Sequence, residues 1–314
     1  MTTKIFDLTE RPNPSLFFKK NDPNDARWGE RVLTDPQYYH LSSVVLLGFP
    51  QDVGVSRNKG RVGAKEAPTA IRRCFYKTVA LPAPILFDLG DTLIEPEMSL
   101  EDMHARHYEI VRRLMADGKK VIVLGGGNDT SYPDCSALAD FNNQAPLAFN
   151  IDAHFDVRAD KTRNSGTPYR QLLEEGKTQA DQFYEIAYQP FANSDVYQAY
   201  LGEKGVKAHS LSAVRAKGIT PLLTEILAQS QANYIFWGLD MDVVRGSDAP
   251  GVSALNPTGL TGEEVCEIAT LAGADPRTRI FEITEVNPHY DIDDRTCRLA
   301  GVVLWHFLRS VGQD

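Results

Sequence analysis

Along this chain apolar residues gather in short unbroken runs instead of alternating strictly with polar ones. From residue 44 onward the runs fall at 44–48, 85–88, 121–124, 147–152, 184–187, 206–211, 234–239 and 279–284. A run that is apolar at every position suits a strand covered on both faces, as in a parallel sheet. Helical patterns lie between the runs. Ser99-Leu100-Glu101-Asp102 is a capping-box opening for a helix that buries Met103, His107, Ile110, Val111 and Leu114 and stops at Gly118. Thr261-Gly262-Glu263-Glu264 opens a second helix in the same way, and a last one over 294–311 carries Leu299, Val302, Val303, His306 and Leu308 at helical spacing. On these apolar faces His107 and His306 read as core histidines. Eight strands with helices between them, and no linker-like stretch, predict an α/β fold. It should be a single-domain, three-layer structure with an eight-stranded, mostly parallel sheet. Residues 1–40 are polar and rich in Asn and Pro. They predict an N-terminal surface extension ahead of a domain over 41–314.

In a parallel α/β sheet, ligands bind outside the carboxyl ends of the strands. The polar strand ends therefore mark where chemistry belongs. The third run ends Gly125-Gly126-Gly127-Asn128-Asp129, and the fourth passes into Asp152-Ala153-His154-Phe155-Asp156-Val157-Arg158. The seventh ends Asp240-Met241-Asp242 and the eighth Glu285-Val286-Asn287-Pro288. If the fourth strand simply runs on, Asp152, His154 and Asp156 point to one side of it. A polar loop would explain any one of these ends, but four on the same edge favour a site. Two carboxylates ~4 Å apart repel by about 4 kcal/mol at an effective dielectric near 20. Asp152, Asp156, Asp240 and Asp242 in one cleft thus need cations or protons. Two divalent ions would supply the charge, and an oxygen-dominated donor set with one imidazole suits Mn²⁺. The Gly triplet before Asn128 lacks the Lys-Ser/Thr ending of a phosphate-binding P-loop.

Composition narrows the partners. With 42% hydrophobic and 24% charged residues the chain is of the soluble globular kind, and its formal net charge of −9 argues against nucleic acid or an anionic membrane as a partner. No apolar run approaches the roughly 20 residues of a membrane span. The N-terminus lacks a signal-peptide core. Cys74, Cys135, Cys266 and Cys297 are scattered without a C-x-x-C pair, as buried thiols of a cytoplasmic protein would be.

These residues together resemble the ureohydrolase (arginase/agmatinase/formiminoglutamase) family, and most closely its formiminoglutamase branch. The likeness covers nearly the whole chain from Leu46. It runs through Gly48-Phe49-Pro50 to Gly60-Arg61-Val62-Gly63-Ala64, the four strand ends, Ser165-Gly166-Thr167-Pro168-Tyr169 and Ala249-Pro250-Gly251-Val252-Ser253. It implies an arginase-like fold and two Mn²⁺ per subunit. One ion would be held by Asn128, Asp152, Asp156 and Asp240, the other by Asp152, His154, Asp240 and Asp242. A hydroxide bridging them would attack the amidine carbon, with Asp156 accepting its proton and Glu285 pairing with the cationic substrate group. Most members have His where this chain has Asn128, a weaker donor. Arginases and agmatinases have His where it has Ser165, and Ser there is the formiminoglutamase form. The implied activity is hydrolysis of N-formimino-L-glutamate to L-glutamate and formamide in histidine degradation. An amidine dicarboxylate calls for fixed positive charge, which arginine forks supply. Arg158 is the first candidate and Arg215 the second, with Ser165 and Arg57 also at the expected mouth. Arg163 reads as a solvated surface residue, and Arg61 is left open. The family implies a homo-oligomer, trimer or hexamer. Two alternatives stand beside this reading: another ureohydrolase, such as an arginase or guanidino-acid hydrolase, and a metal-poor, non-catalytic relative suggested by Asn128.

Overall fold

The computed structural model describes residues 3–312, and the chain is built on one sheet. Its strands are β1 (Thr9–Glu10), β2 (Val44–Gly48), β3 (Leu86–Thr92), β4 (Lys120–Leu124), β5 (Leu147–Ile151), β6 (Phe183–Tyr188), β7 (Lys207–Ser210), β8 (Ile235–Asp240) and β9 (Thr278–Thr284). They lie in the order β1-β3-β2-β4-β9-β8-β5-β6-β7. All neighbours are parallel except β1, which is antiparallel to β3. Successive strand residues feed opposite faces. Val44 and Leu46 enter one apolar core with the helices Ala67–Phe75, Gly262–Ala274 and Arg295–Ser310. Val45 and Leu47 enter the other with Leu100–Ala116, Ser131–Asn142 and Pro168–Glu174. Burying both faces explains the unbroken apolar runs, since each buried Val, Leu or Ile contributes roughly 1.5–3 kcal/mol.

Two features depart from the pattern. The sheet has nine strands where eight are expected, because Thr9 and Glu10 pair with Thr92 and Asp91 at the edge. A two-residue strand carries no periodicity to read. The segment it comes from is also more than a surface extension: Ile5, Trp28 and Tyr39 are buried in the two cores, and Trp28 stacks on Phe75. Strand β3, moreover, continues past its expected end at Asp88 through Asp91 to Thr92. Buried Arg72 makes this possible, its Nε lying 2.8 Å from Asp88 and its Nη1 bonding Asp91. Paired in this way, the carboxylates no longer break the strand.

The helix starts are where the caps place them. Ser99 and Thr261 each close a capping box, for Leu100–Ala116 and Gly262–Ala274. His107 is a core residue, 2.6 Å from Thr92 Oγ1, 2.9 Å from Asp134 and stacked on Phe49. The polar ends of β4, β9, β8 and β5 belong to four adjacent strands at the centre of the sheet. Their register sets Leu124 against Ile283, Asp240 against Thr284 and Ile151 against Leu239. The site residues follow directly.

Candidate metal centre

Beyond Ile151 the chain leaves the sheet and bends, so Asp152, His154 and Asp156 do not continue the strand's alternation. The bend is held from several sides. Asp152 Oδ1 accepts the backbone N–H of His154 at 2.7 Å, an Asx turn. Asn150, buried within β5, donates to Glu185 at 2.9 Å and to the His154 carbonyl at 3.2 Å. Asn193 accepts from Phe155 N and donates to the Ala153 carbonyl, each at 2.8 Å. Asp156 takes a left-handed φ of 48° and Glu285 one of 60°. Non-glycine residues in this conformation are costly and cluster at functional sites. The β8 end repeats the first device: Asp240 Oδ1 accepts the N–H of Asp242 at 2.8 Å, and Asn256 donates to the Asp242 carbonyl. The sequence pattern places these carboxylates on one edge, and the turns aim them at one point.

Two donor sets result. Asp152, His154 and Asp242 offer ligand atoms within 4.8 Å of one another, and so do Asp152, Asp156 and Asp240. Asp152 belongs to both, the position a bridging carboxylate occupies. Asp240 falls in only one of these sets, although the family pattern puts it in both. His154 Nδ1 lies 3.3 Å from Asp152 and 3.2 Å from Asp242. Burial, then the charge of Asp242, pushes the Asp152 carboxyl up to about 7. Burial followed by like charges raises Asp156 and Asp240 well above the carboxylate range. The Asp242 charge is the first cause raising the His154 imidazole. Burial takes Glu285 to about 8, opposed by bonds from Ser253 and the Asn128 N–H. The centre is thus short of positive charge, and its oxygen-rich donors with one imidazole fit a pair of Mn²⁺ ions.

Asn128 reaches the same carboxylates through its nitrogen: Nδ2 donates to Asp156 at 2.8 Å and to Asp152 at 3.2 Å. Its oxygen faces Thr284 Oγ1 at 2.8 Å and Ser131 Oγ at 3.2 Å. Ligation of a metal requires the opposite face. Glu285 accepts the Asn128 backbone N–H at 2.7 Å and lines the cleft beside Ser253.

Above these groups opens a cleft of about 330 Å³, lined by His154, Asp156, Asp240, Asp242 and Glu285 together with Arg158, Ser165, Asn58, Tyr197 and Ser253. The arginines divide. Arg158, 47% exposed, lines the cleft with its Nε 3.0 Å from Asp160. Arg57 is turned onto Glu101 at 2.7 Å and the Arg163 carbonyl, and Arg215 donates to the Gly259 carbonyl. Neither lines the cleft, because other acceptors satisfy them first. Arg61 bonds the Val252 and Ser253 carbonyls and lies over Tyr290, fixing a cleft wall. Arg163 sits over the Tyr132 ring, outside the cleft lining. Ser165 is buried at the rim and accepts from Asn58 at 3.1 Å. A larger groove of about 820 Å³ runs over the helices Gly262–Ala274 and Arg295–Ser310, but its Arg245 is paired with Asp248 and, among the described residues, it holds no metal-ligand cluster. Sequence reasoning passes over Asn58, Tyr197, Asn193 and Glu185. Each comes to the site through the fold, with no spacing to mark it.

The sequence model of the arginase family matches residues 42–309. The formimidoylglutamase of Bacillus subtilis (strain 168) is 32% identical over 279 residues, which cover 83% of this chain and 87% of that protein. The crystal structure of formimidoylglutamase from the same organism superposes with a TM-score of 0.86 at 30% identity, covering 93% of each chain. The crystal structure of Trypanosoma cruzi formiminoglutamase with a Mn²⁺ pair gives a TM-score of 0.84 at 31% identity, covering 90% of this chain and 97% of that one.

Proposed function

The chain belongs to the arginase family, and on that premise we propose that it is a formiminoglutamase with two Mn²⁺ per subunit, hydrolysing N-formimino-L-glutamate to L-glutamate and formamide. The observation that carries this reading is the double donor set sharing Asp152, beneath a cleft lined by Arg158, which is half-exposed and paired at its Nε with Asp160. When bound, the two ions supply a water-derived nucleophile near neutral pH and offset the charge of the carboxylates. The protein's own groups do the rest. Asp156, a member of one donor set that also lines the cleft, takes the proton that water loses. Glu285 pairs with the amidinium, orienting its carbon toward the donor sets. Positive charge at the centre lowers the Glu285 and Asp152 carboxyls, keeping both ionised for these roles. Arg158 binds a substrate carboxylate, and Ser165, held by Asn58, adds a neutral hydrogen bond at the rim. Water adds to the amidine carbon, the bond from that carbon to the glutamate nitrogen breaks, and that nitrogen takes up a proton derived from the water and leaves as the amine of L-glutamate, the carbon departing as formamide.

The catalytic unit in this reading is residues 41–314, with the N-terminal extension over 1–40 accessory to it. A homo-oligomer, trimer or hexamer, is the expected assembly, which light scattering on the purified protein measures. Four unpaired, buried cysteines support a cytoplasmic setting, and among the described residues no helix is long and apolar enough to cross a membrane. The substrate is tested by comparing kcat/KM for N-formimino-L-glutamate, arginine, agmatine and a guanidino acid with Mn²⁺-loaded protein. Preference for the formimino compound is expected. Faster release of urea from a guanidino compound would assign the chain to another ureohydrolase activity.

A further inference from the structure

Asn128 rests in a socket whose hydrogen bonds can be counted. A carboxamide has two nearly isosteric ends, and the surrounding donors and acceptors decide which end faces where. At its back stand two hydroxyls, Ser131 Oγ and Thr284 Oγ1. Each has one proton, and that of Ser131 has a better acceptor than Asn128. Glu282 Oε1 lies 2.6 Å from Ser131 Oγ, against 3.2 Å for the Asn128 oxygen. Tyr169 donates its hydroxyl to Ser131 at 3.1 Å, so the Ser131 proton is directed at Glu282 and away from Tyr169. What Ser131 then presents to Asn128 is a lone pair. With the amide nitrogen at the back, both of its N–H groups find acceptors, on Ser131 and Thr284. With the oxygen at the back, only Thr284 can donate to it. At the front, the carboxylates of Asp152 and Asp156 accept from the nitrogen, as the structure has it, whereas a cation between them would accept only the oxygen.

We propose that Glu282, acting through Ser131, is a positioning residue that makes the back of this socket an acceptor and so lets the Asn128 oxygen turn forward as a metal ligand. A carboxamide needs such a device because only its oxygen end can ligate a cation, while its NH2 end is a donor alone. Glu282, Ser131, Thr284 and Tyr169 are all buried, and none lines the cleft. They act on the ion only through Asn128. The inference rests on Asn128 ligating one of the two Mn²⁺ ions.

Mn²⁺ titration by calorimetry, with the electron paramagnetic resonance signal of the coupled ion pair as a second readout, tests it. Glu282→Leu frees the Ser131 proton to hold the Asn128 oxygen at the back. It should weaken one of the two Mn²⁺ sites by about 10–100-fold, as loss of an outer partner of a metal ligand does, and replace the coupled signal with that of an isolated ion. Ser131→Ala should do the same and Ser131→Thr, which keeps the hydroxyl, should not. The decisive comparison uses Asn128→Asp, whose two oxygens are equivalent: in that background Glu282→Leu should cost no affinity. Equal loss in both backgrounds, or none in either, would overturn the proposal. If Asn128→Ala binds two ions as tightly as the native chain, the ligand reading fails and the proposal with it. If Asn128→Ala loses an ion while Glu282→Leu and Ser131→Ala keep both, the proposal alone fails.

Discussion

Side chains that do one job in the sequence pattern do two in the structure. Asp152 stands in both donor sets and also fixes its own turn by accepting the His154 N–H. Asp240 stands in one donor set and accepts the Asp242 N–H in the same way. Single replacements therefore separate roles best where a residue has only one. Arg158 is such a case, at the rim and with no part in holding the loop core. A hydrogen-bonded charge pair is worth about 1.5–3 kcal/mol, so Arg158→Ala should raise KM for N-formimino-L-glutamate by roughly 10–150-fold with kcat nearly unchanged, the mark of lost uniform binding. Steady-state kinetics give the split, and a fall in kcat at constant KM would place Arg158 in the reaction itself. Asn128→His replaces a weak oxygen donor by imidazole and should tighten Mn²⁺ at one site, on the order of the tenfold that 1.4 kcal/mol represents. Calorimetry reads it, and an unchanged affinity would remove Asn128 from the ligand set.

Among the elements, strands and helix starts were plain in the chain, and loops were not. Continuous apolar runs announce the central strands because both faces of the sheet are covered there, whereas β7 is a half-exposed edge strand of mixed polarity, and the boxes at Ser99 and Thr261 mark their helices. The edge pairing of β1 and the extension of β3 from Leu89 to Thr92 are hidden, since one is too short for periodicity and the other depends on Arg72, from a neighbouring helix, pairing Asp91. At the site, residue types on the strand ends gave the metal cluster, whereas the bend after Ile151 and the turning away of Arg57 and Arg215 depend on partners far along the chain. Asn193 shows the consequence for an element. It clamps Ala153 and Phe155, so Asn193→Ala should weaken Mn²⁺ binding as well as stability, by about 1 kcal/mol for each bond lost. Ser99→Ala loses a helix cap, about 1 kcal/mol of stability, and should leave Mn²⁺ affinity where it is. Thermal melts and metal titration on the two variants distinguish them, and equal effects on affinity would mean the loop clamp has no bearing on the centre.

For the molecule as a whole, carboxyls raised on folding reverse the usual acid behaviour. Asp152 at about 7 and Glu285 at about 8 bind protons more tightly in the folded chain than in the unfolded one. Their contribution to stability is present at low pH and is lost as pH rises from the ordinary carboxylate range through about 7–8. Chelator-treated protein should therefore melt higher at pH 6 than at pH 8.5, while Mn²⁺, which competes with those protons, should stabilise most at the higher pH. Melting curves across that window, with and without Mn²⁺, check both signs. The central claim, that this arginase-family chain uses a two-ion centre on a formimino dicarboxylate, is tested most directly by product analysis of the Mn²⁺-loaded protein. L-Glutamate and formamide should form in equal amounts from N-formimino-L-glutamate, and the reaction should stop when chelator removes the metal. No glutamate from that compound, with urea released from a guanidino substrate, would contradict the claim.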